Sequence, residues 1–158
     1  VILAEVVMRE SRLRFIQQLG YSTPASDTLY TALMVQPRLV GGIVAIGILF
    51  QSAWLFLALA AGLGLGAMVP AMNLSDAIYN AIARARGLPP LGLSPAPRRF
   101  AMGMAAGALS AIAAALLAGA AITAGVLEGL VAISVTAVIF GDYCGPATLY
   151  FGLRRLTT

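Results

Sequence analysis

The hydrophobic positions of this chain fall into two long blocks, one from about Leu29 to Met72 and the other starting at Phe100, with a polar, arginine-bearing stretch between them. As a single helix, even the part of the first block from Leu39 to Met72 would be about 50 Å long, well beyond the roughly 30 Å hydrocarbon core of a bilayer. It must therefore fold back. Gln51, Ser52 and Trp54 form the natural turn, with the indole at the outer interface. The pattern predicts helices over about 30–50 and 53–71, the second ending near Pro70. The second block folds back at Gly119 to Gly125, which predicts helices over about 100–118 and 127–150. Glu128 then falls in a first helical turn, where a carboxylate suits the helix dipole. Gly145 and Pro146 kink or break the last helix near its end.

Outside the blocks the periodicity is amphipathic. Residues 1–19 place Val1, Ile2, Val6, Leu13, Ile16 and Leu19 among Arg9, Glu10, Arg12 and Arg14, which predicts a helix with a cationic face lying on headgroups or docked on a partner. Gly20 ends it, and Ser22, Thr23, Pro24, Ser26 and Asp27 form a polar turn. A second interfacial helix is expected over 75–86, capped by Asn73 or Ser75 and opening with Asp76 at its positive end. Its apolar face is Ala77, Ile78, Ala81, Ile82 and Ala85; Asn80, Arg84 and Arg86 lie opposite. Gly87, Pro89, Pro90, Gly92, Pro95 and Pro97 make an extended linker. The expected organisation is an amphipathic N-terminal segment, 1–28, and a transmembrane domain, 29–158.

Charge orients this arrangement. All ten basic residues are arginines. They lie before the first block (Arg9, Arg12, Arg14, and Arg38 near its start), between the blocks (Arg84, Arg86, Arg98, Arg99) and after the second (Arg154, Arg155). The turns inside the blocks carry none. The positive-inside rule assigns the arginine-bearing regions, and with them both termini, to the cytoplasm. Hydrophobic residues make up 60% of the chain and charged ones 10%, with a mean hydropathy of +0.92. That is far from the soluble average of about a quarter charged. The expected fold class is an all-α membrane protein, with four transmembrane helices as two hairpins plus interfacial helices. The chain opens on Val1 rather than Met, which suggests trimming or an unusual start codon. Its start is short for a secretory signal, and Glu5 interrupts it.

Several chemistries are excluded or made remote. The single cysteine, Cys144, rules out an internal disulfide or a thiolate zinc site from this chain alone. The absence of histidine removes the usual triads and the usual imidazole ligand for haem, zinc or copper. The net charge of +4 is spread over membrane flanks without aromatic interleaving, which argues for anionic headgroups rather than nucleic acid. No intrinsic cofactor or metal is expected; lipids, pigments or quinone have room only at the surface.

Two features remain. Gly103, Gly107, Ala111, Ala115 and Gly119 form a ladder of small residues four apart, a spacing that lets another helix approach until backbones touch. Gly62 and Gly66 repeat the signal more weakly. Gly62, Gly64 and Gly66 do not match the dinucleotide fingerprint. The second feature is Asp142-Tyr143-Cys144-Gly145-Pro146. An acidic residue at membrane depth is costly unless paired, and Arg38, at a similar depth below the outer turns, is its best partner. An Arg38–Asp142 ion pair tying the first and last helices is therefore one expectation; a carboxylate reaching to water is the other. Cys144-Gly145-Pro146-Ala147 resembles a thioredoxin-type motif without its resolving cysteine, so dithiol exchange is not available within the chain, and a small buried thiol used for packing is the favoured reading. Pro37, Arg38, Val40 and Gly42 also resemble Pro97, Arg98, Phe100 and Gly103, which hints at two hairpins related by a parallel pseudo-repeat.

From about Val35 to Leu156 the chain resembles an uncharacterised bacterial family of small four-helix membrane proteins. The resemblance rests on Pro37 and Arg38, on Asp76, Tyr79 and Asn80, on Pro97 to Ala101, and on a C-terminal Cys-x-x-Cys-x-x-Tyr pattern. Cys144 and Tyr150 keep that pattern, while Ala147 replaces the second cysteine. The resemblance implies a bacterial inner membrane and carries no biochemical activity. The expected function is a non-catalytic accessory subunit of a larger photosynthetic or respiratory membrane complex. The alternatives are a small transporter or channel using Asp142 and a membrane thiol-redox partner using Cys144.

Overall fold

A computed structural model describes the backbone of residues 2–22 and 26–157, and the side chains of 10–22 and 26–157. Val1, Thr23 and Pro24, and the side chains of Ile2, Val6 and Arg9, lie outside the described residues. The described chain holds seven α-helices and no strand: α1 (Ile2–Gln18), α2 (Asp27–Phe50), α3 (Ala53–Met68), α4 (Leu74–Ala85), α5 (Ala96–Leu117), α6 (Ala121–Gly141) and α7 (Gly145–Leu156), with a short 3-10 turn at Pro70–Met72. Three of them, α2, α5 and α6, are long and apolar enough to cross a membrane. The fourth apolar helix, α3, has 16 residues.

Local chemistry sets the helix ends. Ser26 and Ser52 cap α2 and α3 by accepting from the backbone N–H of Leu29 and Leu55, each satisfying one orphan donor of a first turn. α1 and α5 close with glycine in the left-handed region, Gly20 at φ +87° and Gly119 at φ +69°. In both, the next residue's N–H reaches back five positions, Tyr21 to Ile16 and Ala120 to Ala115, the bonding of a Schellman cap. Gly119 is therefore a turn residue and not a rung of a packing ladder.

The last helix departs from expectation. In place of one element over 127–150, α6 starts at Ala121, ends at Gly141, and is followed by the separate α7. Asp142 takes a left-handed conformation, φ 51°, and Pro146 stands in the first turn of α7, where its missing N–H costs nothing.

Two clusters make the core. One, toward the turn between α2 and α3, packs Val44, Phe56, Leu63, Leu109 and Ile112. The other, at the arginine-bearing end, joins Phe15 and Ile16 of α1, and Leu19 just beyond it, to Leu33, Met34, Tyr79, Cys144 and Ala147. The α1 helix is thus seated in the bundle by its apolar side, while Leu13 stays 38% exposed.

The small-residue ladder does not play its expected part within the chain. α3 packs most extensively on α5, but through Met102, Leu109 and Ala113 against Ala60 and Leu63. Gly103 comes only within ordinary contact of Ala67, and no neighbour lies near a Cβ built at Gly107. Gly107 and Ala111 are exposed while Ala115 is buried. The packing stripe is offset from the glycines because Leu109 and Ile112 bury far more area than a glycine can. In α3, Gly62 has open space, whereas a Cβ at Gly66 would lie 3.3 Å from the Cα of Asn73. The closest approaches fall elsewhere: a Cβ at Gly47 would meet the Phe56 ring at 2.9 Å, and one at Gly41 would meet Val135 and Ile139 of α6 at the same distance.

α4 is turned in the sense a lipid environment demands. Its polar side, Asp76 with Tyr79 and Asn80, faces the protein, while Leu74, Ile78 and Ile82 are exposed. In water the faces would be exchanged. Against hydrocarbon, the polar groups are satisfied only inside.

Candidate functional site

The buried polar centre of the molecule is built around Arg98, third residue of α5 and 3% exposed. A cation at a helix N-terminus opposes the dipole, so its placement needs an anion. Asp76, third residue of α4, supplies it and gains from the positive end of its own helix. The two meet as a fork: Nη2 to Oδ1 at 2.6 Å and Nη1 to Oδ2 at 2.9 Å, the bidentate geometry that makes arginine–carboxylate pairs strong. Gln36 of α2 accepts from Nη2 at 2.6 Å. Ser94 and Tyr21 accept from Nη1 at 3.0 and 3.1 Å. Ser94 and Asn73 each donate to Asp76 Oδ2, at 3.1 and 3.0 Å. Asn80 fixes the linker by two bonds to the backbone of Leu91.

One guanidinium therefore joins the α1–α2 turn, α2, α4, the proline linker and α5. Arginine does not release its proton in proteins, so this centre positions helices rather than moving charge. No fully buried side-chain nitrogen or oxygen among the described residues lacks a partner. Burial also raises the Tyr21 hydroxyl pKa above its ordinary value, although the nearby Arg98 cation pulls it the other way.

Arg99, the next residue, does different work. Its Nε donates to the Ala67 carbonyl at 2.7 Å and its Nη2 to that of Met68 at 3.3 Å. It caps the C-terminus of α3, where a cation suits the dipole.

Asp142 does not pair with Arg38. Tyr30 donates to its carboxylate at 2.5 Å and Ser11 at 2.8 Å. The ion pairs among the described residues are Arg98–Asp76 and the exposed Arg12–Asp27, and Arg12 also lies over the Tyr30 ring, 4.8 Å from its centroid. The cause is a depth error. With α6 starting at Ala121, Asp142 stands about 32 Å of helix from the outer turn, against about 20 Å for Arg38, and the difference of about 12 Å is the eight residues from Arg38 back to Tyr30. Glu128, expected in a first turn, is buried in the second. There it accepts from the Gln51 amide, 3.1 Å from each oxygen, and ties α6 to the α2–α3 turn. Gln51, like Asp142, is a non-glycine residue at positive φ.

Cys144 is 8% exposed, free, and part of the α1 seat. Burial pushes its thiol pKa up, with the Ala147 backbone pulling the other way. Its backbone N–H donates to Gln18 of α1 at 3.1 Å. Ala147 is fully buried, and Tyr150 stacks near Phe100 at 5.7 Å.

Two spaces adjoin this centre. A cavity of about 120 Å³ is lined by Phe15, Pro37, Met102, Cys144, Gln36 and Arg98, among others. A lateral groove of about 310 Å³ runs between α2, α3 and α4 and is walled mainly by aliphatic side chains. Gln36 lines both. Sequence reasoning did not single out Asp76 and Arg98 as a pair. The available signals were an acid opening an interfacial helix and an arginine opening a span, both of which need a compensating charge.

The sequence model of one protein family, described as "Domain of unknown function (DUF4395)", matches residues 31–155. No curated protein and no solved structure matches the chain.

Proposed function

Starting from the premise that the chain belongs to the DUF4395 family, we propose that it is a non-catalytic structural subunit of a larger membrane assembly, with a photosynthetic or respiratory complex as the favoured setting. The observation that carries this reading is the surface of α6. Only 11% of its most apolar window is buried, against 28% for α2 and α5, and Gly125 and Gly129, four residues apart, have nothing within 4 Å of a built Cβ. A span that leaves glycines open on one turn after another suits close approach by a helix of another chain.

The finer topology belongs to the same proposal. α3 is the fourth crossing: its 16 residues span about 24 Å, short of a typical core by an amount that bilayer thinning accommodates. Both termini and the proline linker face the cytoplasm of a bacterial cell, as the arginines direct.

Extraction in mild detergent followed by native mass spectrometry tests the function. The expected result is a complex of fixed stoichiometry, lost in Gly129→Leu while that variant's own melting temperature holds. A chain that runs alone, with Gly129→Leu indistinguishable from it, overturns the reading. Channel and thiol-exchange activities have less to build on: Asp142 caps α6 beyond the last residue of that span, and the Cys144 sulfur is buried in the packing of α1.

A further inference from the structure

Gln36 is more than nine-tenths buried, and its amide orientation is fixed by chemistry. Arg98 can only donate, so the atom 2.6 Å from its Nη2 must be the carbonyl oxygen. That turns the amide nitrogen, Nε2, away from Arg98, and no described residue accepts a bond from it. Among the described residues every fully inaccessible side-chain polar atom has a partner, so Nε2 keeps some accessible surface, and Gln36 walls two spaces, the cavity and the groove. A donor held at membrane depth without an acceptor costs free energy unless something that is not protein supplies one.

The groove beside it determines what that can be. It extends along α3 from Leu55 to Leu63, about 12 Å, and its other walls include Leu39 and Ile43 of α2 and Ile78 of α4. Its lining has no aromatic side chain on which a ring would stack, and its about 310 Å³ lies at the low end of small-molecule pockets, about 300–1,000 Å³. α4, which closes the end nearest Gln36, turns Leu74 and Ile78 outward at the arginine-bearing side. We infer that the groove between α2, α3 and α4 binds one phospholipid from the leaflet on the arginine-bearing side. One acyl chain lies along α3, and the ester carbonyl accepts the free Gln36 amide hydrogen. The inference is independent of the subunit reading, since a chain that runs alone would still hold its lipid.

The test uses the full-length chain reconstituted in vesicles holding equal amounts of a diester phosphatidylglycerol and its diether analogue with identical tails, plus a short-chain quinone. Lipid retained after mild extraction is read by native mass spectrometry. The wild type is expected to keep one diester lipid, favoured about fivefold over the diether, the worth of one hydrogen bond. Gln36→Glu keeps an acceptor for Arg98 but removes the donor, and should bring that ratio to one. Gly62→Leu projects into open groove space and should reduce retention tenfold or more with an unchanged melting temperature. Equal retention of diester and diether by the wild type, preferential retention of the quinone, or undiminished binding in Gly62→Leu would each overturn the assignment. Should Gln36→Glu fail to fold, the wild-type ratio and Gly62→Leu still decide it.

Discussion

At the scale of single residues, the Asp76–Arg98 pair carries the largest stake. Removing one partner strands a buried charge at a cost of about 3–5 kcal/mol, whereas removing both is far less costly. Asp76→Ala should therefore be severely destabilised in thermal unfolding, and Asp76→Ala with Arg98→Met should recover most of the loss. A single-variant effect below about 1 kcal/mol contradicts the role given to the pair. Cys144 supplies a pH signature. Its folded pKa is raised above the ordinary 9.0 by burial, so its contribution to stability is complete below that value and fades as pH climbs through the folded one. The wild type should lose stability above about pH 9 more steeply than Cys144→Ala. Its alkylation at pH 8 should be about tenfold or more slower than after denaturation. Such residues were only half legible in advance. Cys144 could be read as a packing thiol from its apolar setting, but the partner of Asp142 depended on a depth count that the early start of α6, six residues before the expected one, displaced.

At the scale of elements, the apolar blocks and the helices before and between them could be read directly, because hydrocarbon enforces backbone pairing within each helix and leaves hydropathy as a clean signal. Helix 27–50 and interfacial helix 74–85 lie within a few residues of expectation. Which glycines matter could not be read, since spacing says which residues share a face but not which face meets a neighbour. The contrast can be measured. Gly107→Ala, on an open face, should be neutral or stabilising by up to about 1 kcal/mol through helix propensity alone. Gly47→Ala presses on the Phe56 ring and should cost about 1–3 kcal/mol. Reversed signs in denaturation in detergent would return the ladder to the helix interface.

At the scale of the whole molecule, topology is the property on which the rest depends. In a Cys144→Ser background, Leu93→Cys in the linker and Thr157→Cys at the end of α7 should react with an impermeant maleimide from the same side of the membrane. Ala120→Cys, in the α5–α6 turn, should react from the other. Labelling of Leu93→Cys and Thr157→Cys from opposite sides would mean that α5 and α6 do not both cross. This arrangement is the one the charge pattern of the sequence predicts, and the labelling decides it. The polar centre holding the crossings together was not visible there, because it draws on five segments that no local pattern relates.

The seat of α1 has a consequence for synthesis. Ser11 bonds Asp142 and Gln18 bonds Cys144, so α1, made well before them, finds its resting place only when residues more than a hundred positions later have emerged from the ribosome. Until then Phe15, Ile16 and Leu19 have an incomplete socket. A nascent chain halted before Asp142 should expose α1 to protease, and a released chain that includes α7 should protect it.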